Sequence, residues 1–178
     1  MRSRSWLTRC GLVVVTGLIG VTPAFAESDS KTVQVSATIL PRLELSVTPE
    51  TGEGITFGVV QQPAPGEEAT QSVKVSVNVF SNLGHPYHVT QLIRRPLTSP
   101  DGLVIADGQF LVTTRDAALG ELGAPQAIPI TPGNSMTLYT SNDRGKSDAF
   151  AADYTLVVTP QTPAGEFNTQ IVYTVTSL

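Results

Sequence analysis

The side chains in this chain that are able to do chemistry are few and poorly grouped. The two histidines sit together in His85-Pro86-Tyr87-His88. Two imidazoles can begin a zinc site, but zinc needs four ligands converging on one point. Pro86 separates the pair, no carboxylate lies nearby in sequence, and the single cysteine, Cys10, is remote. The segment therefore reads as a surface turn. Asn142, Asp143 and Asp148 offer oxygen ligands of the kind calcium takes. Their spacing departs from the Asp-x-Asp-x-Asp-Gly order, and Arg144 and Lys146 among them oppose a cation. They read as turn formers in a strand connection. Serines are plentiful, yet no Gly-x-Ser-x-Gly elbow occurs. A glycosidase needs two carboxylates across a cleft, and an aromatic content of 6% gives few platforms for a sugar. Gly52-Glu53-Gly54 is followed by no helix that would turn it into a phosphate cradle. Glu67-Glu68 is a solvated pair and Arg94-Arg95 a basic strand end. The expectation is a protein without catalytic, cofactor-binding or metal-binding residues, and not an enzyme.

The stretch that remains as a carrier of function is Thr32–Ile39. Val33, Val35, Ala37 and Ile39 fall on one parity and Gln34, Ser36 and Thr38 on the other. Successive side chains of an extended chain point to opposite sides, so this segment has one apolar edge. It is either the first strand of an ordinary sandwich or an extension that adds a strand to another subunit. In the second case main-chain bonds give affinity and alternate side chains in pockets give specificity. Val33, Val35, Ala37 and Ile39 are then the partner-binding residues, and Pro41 behind them is a hinge.

The elements around this segment are strands. Leu43, Leu45 and Val47 alternate within Arg42–Thr48, and Ile55–Val60 is a short strand with Gly58 at a bulge. Ser72–Asn82 is the most regular run, with Val73, Val75, Val77 and Val79 facing in, as a central strand with one wet face does. Tyr87–Arg94, Gly108–Arg115, Ala127–Ile130 and Ser135–Thr140 follow, and Asp116–Gly123 has room for one helical turn. Asp153–Val158 and Phe167–Val175 form a final pair of strands around Pro160–Gly165, expected to lie side by side. Nine or ten strands without an amphipathic helix predict an all-β, immunoglobulin-like antiparallel sandwich.

The N-terminus carries Arg2, Arg4 and Arg9, then the apolar Leu12–Val21, then Ala24-Phe25-Ala26. That is the layout of a cleaved secretory signal peptide over residues 1–26, leaving residues 27–178 as one sandwich domain. The apolar run is short of the roughly 18–20 residues that span a bilayer, so no stable membrane span is expected. The whole sequence has a net charge of −4. Loss of three arginines makes the remainder more acidic and a poor ligand for nucleic acid. The leader predicts an exported protein, and with Cys10 removed no disulfide can staple it.

The order TVQVSATIL, LELSV, ITFG, VKVSVNVFSN, GHPYHV and PAGEFNTQIVYTV resembles the spore coat U and archaic chaperone–usher pilin group. The matching positions are Ser36-Ala37-Thr38-Ile39, Phe57-Gly58, Pro86-Tyr87 and Gly165-Glu166-Phe167. The resemblance implies an incomplete immunoglobulin-like domain, secreted to the periplasm or the cell surface, whose gap is filled by a strand from a periplasmic chaperone or a like subunit. Where that group commonly has a disulfide, this chain has apolar residues around Leu43 and Val79. A second resemblance, of YTLVVTPQTPAGEFNTQIVYTV to the end of WxL-type wall-binding domains, implies a self-complete module for cell-wall glycan. The sequence after residue 26 holds no tryptophan for its namesake motif.

Overall fold

The computed structural model describes Lys31 and residues 33–178. The expected leader over residues 1–26 lies outside the described residues. The chain divides into two units after Thr38, and every strand lies in the second, Ile39–Leu178. The strands are β1 (Leu43–Pro49), β2 (Ala69–Ser81), β3 (Tyr87–Ile93), β4 (Phe110–Arg115), β5 (Glu121–Leu122), β6 (Ile128–Pro129), β7 (Ser135–Thr140), β8 (Asp148–Val158) and β9 (Ile171–Ser177). One sheet has the order β1-β2-β8-β4-β6 and the other β5-β7-β3-β9, with every pairing antiparallel. There is no helix among the described residues.

Alternation decides what each strand buries. On β2, Val73, Val75, Val77 and Val79 are buried while Lys74, Ser76 and Asn78 are only half-covered. Val77 stands opposite Val47 on β1 and Phe150 on β8, so the apolar row runs on across the sheet. The other sheet answers with Tyr87, Val89 and Ile93 of β3 and Leu138 and Tyr139 of β7, and the two rows form one core. Fully burying an aliphatic side chain of this size contributes about 1.5–3 kcal/mol. Three tyrosines are fully buried, and each phenol donates a hydrogen bond: Tyr87 to the Lys146 carbonyl (3.0 Å), Tyr139 to Asp148 (2.7 Å) and Tyr154 to Gln91. Their rings bring large apolar area into the core without stranding a polar atom.

The connections follow the immunoglobulin plan, in which the first, second, fifth and fourth strands share a sheet and the third and sixth face them. Here those are β1, β2, β8 and β4, with β3 and β9 opposite, and β5, β6 and β7 are inserted between the fourth and fifth.

Several sequence expectations are corrected. The last two long strands are not neighbours: β8 lies between β2 and β4, and β9 pairs with β3 in the other sheet. The turn residues Pro160–Gly165 carry the chain across the sandwich instead of closing a hairpin. β8 begins at Asp148, within the loop expected over Ser141–Ala149, and β9 begins only at Ile171. The helical turn expected in Asp116–Gly123 is replaced by β5, which pairs with β7. Gly123 permits this, because a Cβ there would lie 1.9 Å from the Thr137 carbonyl oxygen. Ile55–Val60 and the described part of Thr32–Leu40 alternate as strands do but join neither sheet.

Candidate functional site

A sandwich built on this plan is closed when a seventh strand lies beside the sixth. Among the described residues no strand pairs with the outer edge of β9, and β1 is likewise the last strand of its own sheet. The side chains register this opening. The inward residues of β1, Leu43, Leu45 and Val47, are only half-buried, and so are Ile171, Tyr173 and Val175 of β9. The inward valines of the neighbouring β2 are buried throughout. Both edge strands thus carry an apolar row that the described residues leave partly uncovered.

Where these edges part there is a cleft of about 980 Å³. Val47 and Pro49 of β1, Ile171 and Tyr173 of β9, and Leu156 and Val158 of β8 line it, over a floor that includes Val75 and Phe110. Gln62, Thr162 and Asn168 bring polar groups to it, and the charged residues lining it, Glu53 and Glu166, are both acidic. Its chemistry is therefore that of an apolar trough with a polar, faintly acidic border. An extended segment with alternate apolar side chains fits such a trough, since the unpaired backbone of β9 supplies donors and acceptors along one side.

One wall of the cleft is the segment Gly54–Val60. Ile55 and Phe57 turn onto the core, and Phe57 meets Phe110 edge to face with ring centroids 5.9 Å apart. Gly58 has φ +68°, a left-handed conformation that glycine takes without strain, and Val59 beyond it is 97% exposed. Among the described residues, positions 53–63 make no backbone–backbone hydrogen bond. Side-chain bonds hold it and its continuation to Gln62: the Thr51 hydroxyl donates to the Gly54 carbonyl, the Thr56 N–H donates to Thr51 Oγ1 (3.3 Å), and Gln62 Nε2 donates to the Pro160 carbonyl (2.5 Å) and, at 3.5 Å, to the Thr162 carbonyl.

Beneath the cleft the two sheets are tied by polar groups. The Tyr173 hydroxyl donates to the Tyr154 hydroxyl (2.6 Å), which donates to Gln91 Oε1. Gln91 Nε2 in turn approaches Met136 Sδ at 3.7 Å. Tyr173 and Met136 flank Gln91 across β9 and β7, whereas Tyr154 reaches it from the opposite sheet. Burial holds the Tyr154 phenol well above its ordinary pKa, with Tyr173 beside it adding to the shift. Burial also lifts Tyr173 to about 12, against a smaller opposing effect of its bond to Tyr154. Both therefore remain neutral donors. Alternation could have flagged this tie, because Gln91 shares the inward parity of Val89 and Ile93.

Val33, Val35 and Ile39 are 80%, 91% and 82% exposed, and Ala37 is exposed as well. Pro41 falls just outside β1, and Asn82 grips the backbone on either side of it. Asn82 Oδ1 accepts from the Arg42 N–H (2.6 Å), and its Nδ2 donates to the Leu40 carbonyl (3.0 Å).

The remaining candidates are used elsewhere. His85 is exposed in the turn and His88 is on β3. Asn142 Oδ1 accepts from the Arg144 and Lys146 N–H groups, closing its own turn. Asp148 is engaged by other groups, accepting from the Ala118, Leu119, Gly120 and Ala149 N–H groups and from the Tyr139 hydroxyl. Burial alone would raise its pKa, but these donors outweigh burial and hold it below the usual carboxylate range. Among the described residues no three His, Cys, Asp or Glu side chains are grouped to hold a metal, and no helix is long and apolar enough to cross a membrane.

Comparison with models of protein families finds no match to this chain, and comparison with curated proteins finds none.

Proposed function

We propose that this chain is an exported structural subunit that assembles by strand donation: the alternating segment of one copy enters the cleft between β1 and β9 of the next. The observation that carries this reading is the pair of half-buried apolar rows on the two facing edge strands. A strand added where the edges part would pair with β9 through its backbone and cover Val47, Ile171 and Tyr173 with alternate side chains. Val33, Val35, Ala37 and Ile39 have the needed spacing and are exposed. Burying two valines and an isoleucine contributes about 1.5–3 kcal/mol each, before the cost of ordering the segment. A chaperone from the exported compartment would fill the same cleft before a like subunit does.

The test is the state of association of the purified protein, read by light scattering after gel filtration. The wild-type chain is expected to form chains of subunits. Val35→Asp, which places a charge in the middle of the donated row, is expected to remain monomeric while still accepting a peptide of residues 31–42. A wild-type chain that stays monomeric and ignores the peptide would sink the reading, and specific binding to cell-wall glycan by such a monomer would favour a self-complete module.

A further inference from the structure

Ile55 and Phe57 have the alternation of a strand but none of its ladder, and their place in the sandwich is specific. Phe110, against which Phe57 packs, stands opposite Leu156, and Leu156 stands opposite Gln71. β1 has already stopped by then, since its last residue, Pro49, pairs with Val75. Phe57 therefore fills the space between the sheets beyond the end of β1. Ile171, which begins β9, lines the same cleft as Phe57. A strand laid along the whole of β9 would bring one of its inward side chains to this end.

We infer that Ile55–Gln62 is an internal plug, which covers this end of the cleft in the unassembled subunit and is displaced by the entering strand. The inference rests on the strand-donation reading and adds to it the state of the cleft before assembly. Displacement breaks the Thr56–Thr51 hydrogen bond, those of Gln62 to the Pro160 and Thr162 carbonyls and the contacts of two apolar side chains, but no backbone ladder. The entering strand replaces those contacts with its own and adds main-chain bonds along β9. Segments held by few backbone bonds and partial burial open at a small fraction of the global stability. The plug is bounded by two turns able to act as pivots, one closed by the Thr51 hydroxyl on the Gly54 carbonyl and one by the Glu67 N–H on the Ala64 carbonyl. It keeps an apolar trough from standing fully open to other proteins, and it slows entry by the fraction of time it stays shut.

The experiment uses the full chain in the Val35→Asp background, whose cleft no neighbouring copy fills, carrying Trp6→Phe and Phe57→Trp so that its only tryptophan is the introduced one. Its emission is recorded while a labelled peptide of residues 31–42 is added in excess. The expected result is a red shift of that emission as the peptide binds. In parallel, Ile55→Ala/Phe57→Ala in the same Val35→Asp background is expected to bind the peptide about tenfold faster than Val35→Asp alone, because the closed population is lost. Gln62→Ala, which loosens the segment without removing core atoms, is expected to bind a few-fold faster and keeps the test alive if the double variant fails to fold. Peptide binding with unchanged tryptophan emission, or with rates unaffected by Gln62→Ala, overturns the plug while leaving strand donation standing. No peptide binding by monomeric Val35→Asp or any variant made in it overturns strand donation, and the plug with it.

Discussion

Replacing Tyr154 by phenylalanine removes one oxygen from the centre of the sandwich and breaks the tie between the sheets at both ends. The Tyr154 hydroxyl is the donor to Gln91 Oε1, and Gln91 is 1% exposed. No water reaches that amide easily, so the variant strands a buried acceptor, which costs about 1–3 kcal/mol, above the roughly 1 kcal/mol of an average hydrogen bond. The Tyr173 hydroxyl also loses its acceptor, but it lines the cleft and can turn to water. A loss of about 2 kcal/mol lowers the melting temperature of a domain this size by roughly 4–8 °C. Chemical denaturation with parallel thermal melts measures it. The decisive comparison is the double variant Tyr154→Phe/Gln91→Leu. With both polar ends gone nothing is stranded, so the double variant should be at least about 1 kcal/mol more stable than the two single losses added together. Tyr154→Phe within about 0.5 kcal/mol of wild type, or a strictly additive double variant, refutes the reasoning. The same tie predicts a response to alkali. Tyr154 and Tyr173 both have folded pKa values above the ordinary phenol value of 10. The folded chain then holds more protons than the unfolded chain above pH 10. Their contribution is complete below pH 10 and is lost as pH rises toward about 12 for Tyr173, at up to about 1.4 kcal/mol per pH unit for each phenol.

Three further outcomes are expected. Asp148→Asn should loosen residues 117–120, seen as faster amide exchange at Leu119. In the wild-type chain the same loosening should come with acid, because the lowered Asp148 pKa gives a contribution that is present above the usual carboxylate value and lost as pH falls through the folded one. Asn82→Ala removes both bonds around Pro41, each worth about 1 kcal/mol, and should raise exchange at Arg42 and Leu43 without unfolding the core. Gly123→Ala drives a methyl group to 1.9 Å from a backbone oxygen and should cost more than about 3 kcal/mol, whereas Gly54→Ala, with open space around it, should stay within about 0.5 kcal/mol in the same melts.

Much of the strand content was legible because alternation is a property of neighbouring residues. Val73 to Val79 identify a central strand and its buried face without reference to anything else, and Ser135–Thr140 was bounded correctly by the turn residues before it. The same signal over-reached at Ile55–Val60 and over residues 33–40. Both have the right side chains, but a strand also needs an edge to pair with, and no sequence pattern states which edges are free. Asp148 looked like a loop residue because acidic side chains usually are; its use as an acceptor for a turn at Leu119 needs two distant segments brought together.

The amino-acid order by itself settled that the body is all strand, which faces are apolar, and which residues of Val33–Ile39 stand on one side, since these depend on covalent geometry and local periodicity. Tertiary structure alone decided that β8 and β9 belong to different sheets, that β1 and β9 are edge strands among the described residues, and that Phe57 packs on Phe110 beyond the end of β1. Pairing and edge exposure arise from the crossing of the chain between layers, which joins residues far apart in sequence and so leaves no mark in any short stretch of it.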